Sequence, residues 1–200
     1  MLIPKVLDNK SIALIAVAFA GLLTILGCSV DVKDGKNGES SKVDIQTPLG
    51  GIHVNEAADI RDTGLPAYPG ARIKEKTHDG DSKSANVNLS SMGFGLKVVA
   101  LEYESDDPPD KVMAFYRDKL KKYGDVLQCR TNKHGGDEDV DYNGKDSVSK
   151  PVTCKGDNSG SVIELKVGTE NNQHIVSVEP EGKGTDFAVV LVQIHGKDTI

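Results

Sequence analysis

Residues 107–124, DPPDKVMAFYRDKLKKYG, carry the clearest helix signal in this chain of 200 residues. Asp107 is a good N-cap, Pro108 suits the first helical position, and Gly124 stands where helices commonly end in a left-handed residue. Apolar side chains recur at helical spacing and form one stripe: Val112, Phe115, Tyr116, Leu120 and Tyr123. The stretch therefore predicts a helix whose stripe covers a sheet. The alternative is that the stripe fills a groove on a partner.

Short strand signals lie on both sides of this helix. Residues 85–91 and 96–104 alternate in polarity before it, and the later signals lie at 125–131, 152–155, 162–167, 174–178 and 187–194. Residues 187–192, FAVVLV, are continuously apolar, which is typical of a strand buried on both faces or closing the sheet. One long helix among many strands predicts an α+β fold, a mostly antiparallel sheet with the helix packed on one face.

Residues 43–54, VDIQTPLGGIHV, alternate on both sides of a Pro/Gly turn and predict a small hairpin, followed by a polar connection to residue 64. They align without gaps on residues 87–98, VNLSSMGFGLKV. We interpret this similarity as the same strand–turn–strand unit occurring twice in the chain. The alternative is coincidence, because alternation combined with glycine is common.

The N-terminal segment has the layout of a secretory signal. Lys5 and Lys10 precede the apolar run IALIAVAFAGLLTILGC at residues 12–28. A helix over residues 12–27 would rise about 24 Å, short of the roughly 30 Å hydrocarbon core of a bilayer, so a transmembrane span is the weaker interpretation.

Residues 25–28, ILGC, resemble the lipobox of bacterial lipoproteins, in which the cysteine is lipidated and becomes the new N-terminus after cleavage. Leu26 departs from the pattern, which usually has a small residue there. The resemblance implies a signal peptide over residues 1–27, a lipidated Cys28, and anchoring at the periplasmic face of a bacterial membrane. Ser29 resembles the residue that follows the cysteine in lipoproteins sent to the outer membrane. The alternatives are an ordinary secretory signal and an uncleaved anchor.

The composition predicts the organisation of the exported part. Residues 28–42 are polar and rich in Gly and Ser, which is typical of a flexible tether. Residues 43–64 form the hairpin and connection, residues 65–195 an α+β domain, and residues 196–200 a tail. The motif LPAYPGA at residues 65–71, followed by strands and an FYR-containing helix, resembles a domain of uncharacterised bacterial lipoproteins over residues 65–195. That resemblance implies no activity.

Cys129 and Cys154 remain once Cys28 is assigned to lipid. An even pair in an exported domain predicts a disulfide. The alternative is a pair of thiols serving as metal ligands or as a redox couple, although the C-x-x-C spacing typical of such sites is absent.

The acidic stretch at residues 137–146 contains a candidate metal site. Its pattern D-x-D-x-N-G resembles the first half of an EF-hand or dockerin-type Ca²⁺ loop, with oxygen ligands at alternate positions before a turn glycine. The candidate ligands are Asp139, Asp141, Asn143 and Ser147. Lys150 stands where the closing carboxylate belongs, and Asn-Gly is also a strong hairpin-turn signal. The alternative is therefore a solvated surface hairpin.

Composition and motifs exclude several function classes. The net charge of −6 argues against nucleic acid as a partner. The five histidines are scattered without metal-site spacing, and the G-x-S-x-G nucleophile motif does not occur, so we expect no enzyme activity. We predict a membrane-anchored domain that binds an envelope protein or ligand, or serves a structural role; this predicts an exposed apolar patch or sheet edge. The alternative is a Ca²⁺-responsive or hydrolytic exported domain, with a cleft converging on Asp139, Asp141 and a histidine.

Overall fold

The computed structural model describes residues 28–33, 41–74, 84–132, 150–156 and 158–196. Its strands are β1 Ser29–Lys33, β2 Lys42–Thr47, β3 Gly50–Asn55, β4 Arg72–Ile73, β5 Ser84–Ser91, β6 Phe94–Ser105, β7 Leu127–Thr131, β8 Val162–Thr169, β9 Asn172–Glu181 and β10 Gly184–His195. The helix α1 spans Pro109–Leu120, and short 3₁₀ helices span Ile60–Thr63 and Lys121–Tyr123. Within these ranges, no helix has the length and apolar character needed to span a membrane.

The strands form one sheet in which all described pairings between named strands are antiparallel. Their order is β1-β2-β3-β5-β6-β10-β9-β8-β7, and the two-residue β4 also pairs with β6. The expectation of a mostly antiparallel sheet with one helix is therefore confirmed. The apolar run at residues 187–192 lies in β10, between β6 and β9, where neighbouring strands shield it on both sides.

The helix α1 packs on one face of the sheet through the predicted stripe. Val112, Tyr116 and Leu120 are buried, and Phe115 and Tyr123 pack partly buried against the same core. Because side chains alternate along a strand, this face receives the odd-numbered residues of β6 and β10. Rings from β6, β10, α1 and the 65–71 segment meet there. Tyr103 and Phe187 stack across paired strands at 5.3 Å, and Tyr68 meets Phe115 edge-on at 5.2 Å.

The start of α1 differs from the prediction. Asp107 is not the N-cap; Pro108 occupies that position without a side-chain capping bond, and Pro109 begins the helix. Proline at the first helical position has no N–H that needs a cap. The Asp107 carboxylate instead accepts hydrogen bonds from the Tyr68 hydroxyl and the Lys111 ammonium, each at 2.8 Å. Asp107 therefore ties the 65–71 motif to the helix.

The two echoing segments fold as equivalent hairpins. Val43 faces Val54 and Ile45 faces Ile52 in the first hairpin, and the corresponding pairs Val87–Val98 and Leu89–Leu96 form in the second. The predicted reuse of one strand–turn–strand device is confirmed. The hairpins are also neighbours, since β3 pairs with β5.

Two segments differ from their predicted local structure. Residues 29–33 form the strand β1, paired with β2, where composition predicted a flexible tether. Alternating valines at 30 and 32 give this short segment a strand pattern that its polar surroundings obscure. The predicted strand at residues 152–155 is absent: only Pro151 makes an isolated bridge, to Thr169, and the chain then turns to the cysteine cross-link.

The predicted disulfide between Cys129 and Cys154 is present. It joins buried Cys129 of β7 to the irregular segment that follows residue 150.

Replacing both cysteines of the disulfide by alanine should lower the free energy of unfolding by about 3 kcal/mol, because the bridge closes a loop between residues 25 apart. Denaturant unfolding measures this, with Cys28→Ala as the matched control at an exposed cysteine. Equal stability of the double variant and the control would contradict the expectation.

Two buried tyrosines provide a second test of the core. Burial raises the pKa of the Tyr116 hydroxyl, and although the Tyr68 main chain lies near it, no hydrogen bond of normal geometry forms within the described chain. Tyr116→Phe should therefore leave stability unchanged or increase it, because an unsatisfied buried hydroxyl costs about 1–3 kcal/mol. Tyr68→Phe should lower stability by about 1–2 kcal/mol, because it removes the hydrogen bond to the Asp107 carboxylate. Thermal and denaturant unfolding of the pair checks the opposite signs; a larger loss for Tyr116→Phe would refute the assignment.

Candidate functional site

The proposed anchor residue, Cys28, is exposed and lies directly before β1. Residues 1–27 lie outside the described residues, so the signal peptide and the lipobox stay predictions. The position of Cys28 is informative all the same, because the sheet begins at the next residue. A group attached to its sulfur would be held at the N-terminal end of an edge strand.

The face of the sheet opposite α1 carries two lateral rows of apolar side chains that cross six strands. Register pairs connect Val30, Ile45, Ile52, Leu89, Leu96 and Ile194 in one row. They connect Val32, Val43, Val54, Val87, Val98 and Val192 in the other. Each strand contributes one residue to each row, so the rows form a continuous apolar surface from β10 to β1.

The exposure of this surface increases toward the anchor. Val192 and Ile194 on β10 are each 8% exposed, whereas Val30 and Val32 on β1 are 65% and 60% exposed. Scattered exposed valines are ordinary, but a contiguous apolar strip that ends at an edge strand is typical of an interaction surface.

The other face of β1, β2, β3 and β5 forms a shallow polar groove of about 380 Å³. Its central feature is His53, whose Nδ1 lies 2.9 Å from Asp44 Oδ2. Both side chains are nearly half exposed, so this pair contributes little to stability. The residues that line the groove include lysines, asparagines and aspartates but no serine, threonine or cysteine nucleophile. The groove is suited to hydrogen bonding rather than to covalent catalysis.

The opposite end of the sheet carries a buried ion pair that the sequence pattern does not reveal. Lys166 Nζ lies 3.1 Å from Glu164 Oε2 on β8, with side-chain exposures of only 4% and 3%. The second carboxylate oxygen, Glu164 Oε1, has no hydrogen-bond partner among the described residues. A buried pair loses much of its Coulombic gain to desolvation, so it is weak evidence for stability. In the stretch VIELKV the two charges alternate with apolar residues, a pattern that predicts a solvated face.

The edge of the sheet at β7 is covered. The disulfide joins Cys129 to Cys154, and Asn158 Oδ1 accepts a hydrogen bond of 2.6 Å from the backbone N–H of Arg130. The following Gly160 has a φ of 134° and approaches β7 so closely that a Cβ there would lie 2.1 Å from the Thr131 carbonyl oxygen. Residues 154–156 and 158–160 therefore occupy the side of β7 on which another strand would otherwise pair.

The Ca²⁺-loop prediction falls on residues that the structure does not describe. Asp139, Asp141, Asn143 and Ser147 all lie within residues 133–149. Elsewhere in the described ranges, no group of three or more His, Cys, Asp or Glu side chains is placed to hold a metal ion. The Ca²⁺ site and the hydrolytic alternative stay predictions.

The described histidines have separate environments. His53 pairs with Asp44, His195 is exposed, and His174 is buried. The His174 ring stacks on Tyr123 with centroids 3.7 Å apart and hydrogen-bonds to the Thr63 main chain. The Tyr123 hydroxyl in turn donates to the Gly64 carbonyl at 2.9 Å. His174 thus holds the connection around residues 63–64 against the sheet.

The buried histidine predicts a pH dependence of stability. Burial lowers the pKa of His174 below its ordinary 6.5, an effect to which nearby Lys122 adds. Just below pH 6.5 the unfolded chain binds a proton at this residue while the folded chain does not, so acidification should destabilise the fold until the native pKa is reached. His174→Gln should remove this part of the slope, measured as the free energy of unfolding at pH 7.5 and at lower pH.

His195→Gln is the matched control, because it removes an exposed histidine near the end of the same sheet. It should keep the wild-type pH dependence of stability. A His174→Gln curve that runs parallel to that of the wild type would contradict the role assigned to His174.

Comparison with protein-family models, with curated proteins and with solved structures gives no match for this chain.

Proposed function

We propose that this chain is an exported bacterial lipoprotein, anchored to a membrane through Cys28, whose sheet serves as a binding or structural domain of the cell envelope. The observation that carries the proposal is the exposed Cys28 immediately before the edge strand β1. Its sulfur is accessible for modification, and the apolar run and lipobox-like ending precede it in the sequence.

The anchor would hold the sheet close to the membrane. Acyl chains contribute about 0.8 kcal/mol per buried CH₂, and two or more chains anchor a protein stably. Because β1 starts at Ser29, no flexible segment separates the lipid from the first strand. The strand β1 then lies near the membrane surface.

The binding role rests on the apolar strip opposite α1. Val30 and Val32 are its most exposed members and lie closest in sequence to Cys28. A partner at this surface is an envelope protein or ligand with a complementary apolar face. The net charge of −6 disfavours nucleic acid and electrostatic adhesion to anionic lipid. The proposal includes no catalytic role.

Intact mass spectrometry of the protein from a bacterial membrane fraction tests the anchor. The wild type should have the mass of residues 28–200 plus acyl groups, because lipidation and cleavage would make Cys28 the N-terminus. Cys28→Ser should lack the acyl mass and retain the N-terminal segment, because the modified sulfur is required for cleavage at this site.

Cys154→Ser is the control, because it changes a cysteine that lies in the disulfide and should leave acylation intact. A wild-type mass equal to the whole chain, or to a cleaved chain without acyl groups, would overturn the lipoprotein proposal.

A further inference from the structure

We infer that β1 is an interface strand, which pairs antiparallel with β1 of a second copy of this chain and joins the two sheets edge to edge. This inference goes beyond the anchoring function and does not depend on lipidation. It starts from the contrast between the two ends of the sheet. Within the described residues, β1 has one strand neighbour, β2, whereas β7 is covered by the cross-linked segment around Cys154 and Asn158.

The composition of β1 is compatible with strand pairing. SVDVK contains neither proline nor glycine, and the strand has no bulge in its register with β2. Proteins often protect an exposed edge with proline, a bulge or charged side chains. The strand β1 has neither proline nor a bulge, and its two charged residues, Asp31 and Lys33, are the ones that self-pairing would place opposite each other. Val30 and Val32 project on one face, while Asp31 and Lys33 project on the other.

The charges of β1 are mismatched with its neighbour inside one copy. The register places Asp31 opposite Asp44 and Lys33 opposite Lys42. Like charges directly opposite one another are unfavourable in a sheet. The outer side of β1 is therefore where these two charges are free to meet directly opposite partners of the other sign.

Self-pairing supplies those partners in one register. With Val32 opposite Val32 of the second copy, Asp31 of each copy faces Lys33 of the other, which gives two opposite-charge pairs about one twofold axis. A register centred on Asp31 places Asp31 opposite Asp31 of the second copy. A register centred on Val30 places Asp31 opposite Ser29. Charge complementarity thus selects the register centred on Val32.

The same register fits the apolar strip and the anchor. The two copies of Val32 at the centre join the Val32 row of one copy to the same row of the other. Each Cys28 lies four residues from the twofold axis, about 14 Å along an extended strand. Points related by a twofold axis lie at the same height along it, so two lipidated cysteines would enter the same membrane.

Charge variants of the full-length protein in detergent test the pairing. Wild type should form a dimer in analytical ultracentrifugation across a concentration series. Asp31→Lys and Lys33→Asp should each raise the dimer dissociation constant by about tenfold, because both opposite-charge pairs become like-charge pairs. An equimolar mixture of the two variants should restore the dimer, since the heterodimer regains both opposite-charge pairs.

These variants separate loss of the dimer from loss of β1 itself. Within one copy, Asp31→Lys faces Asp44, and Lys33→Asp faces Lys42, so each substitution replaces a like-charge neighbour by an opposite one. The stability of each monomer should therefore be unchanged or increased while its dimer weakens. High salt should reduce the difference between the variants and the wild type, because these charges are exposed.

Oxidative cross-linking identifies the register. Val32→Cys should form a disulfide-linked dimer, because residue 32 faces itself across the twofold axis at a distance that a disulfide can span. Val30→Cys and Asp31→Cys are the matched controls, with the wild type as baseline for Cys28. A monomeric wild type, a dimer indifferent to both charge variants, or cross-linking preferentially at residue 30 or 31 would overturn the inference.

Discussion

The pairing of β6 with β10 is the constraint on which the rest of the structure depends. Its long antiparallel register places Phe187 opposite Tyr103, and Leu191 opposite Val99, all facing α1. A one-residue slip would turn each of these side chains to the other face and remove the surface on which α1 packs. Because β5 pairs with β6, and β9 pairs with β10, the register between β6 and β10 also sets which residues of these neighbouring strands face the helix.

The same alternation gives the two faces of the sheet different roles. One face is covered by α1 at the β8–β10 end and continues as a polar groove around His53 at the β1 end. The other carries the two apolar rows that run to Val30 and Val32 beside Cys28. The two edges differ as well, because a disulfide and a side-chain hydrogen bond cover β7 whereas β1 carries alternating valines and charges. These asymmetries place the proposed anchor and the proposed interface at one end of the sheet and the stable core toward the other.

Much of the fold is predictable from local pattern. The helix stripe, the two echoing hairpins and the cysteine pair are signals carried by neighbouring residues or by simple pairing logic, and each is present in the structure. The failures have physical reasons that local pattern does not contain. Asp107 does not cap the helix, because its carboxylate accepts a hydrogen bond from the hydroxyl of Tyr68, which is distant in sequence. Ser29–Lys33 becomes a strand because β2 offers a partner. The alternating sequence pattern predicts that Glu164 and Lys166 face solvent, but the structure buries them together.

The sequence by itself determined the spacing of apolar residues along the helix and the strands, the fold class, and the position of the cysteine at which the apolar N-terminal run ends. These properties depend on side-chain spacing and composition along the chain, which folding does not change. Only the tertiary structure decided which strands are neighbours and which edge is covered, and with them the apolar surface that the combined strands present. Those outcomes depend on register between distant segments: Val32 meets Val43, Val54 and Val87 in one row only after β1, β2, β3 and β5 are brought side by side.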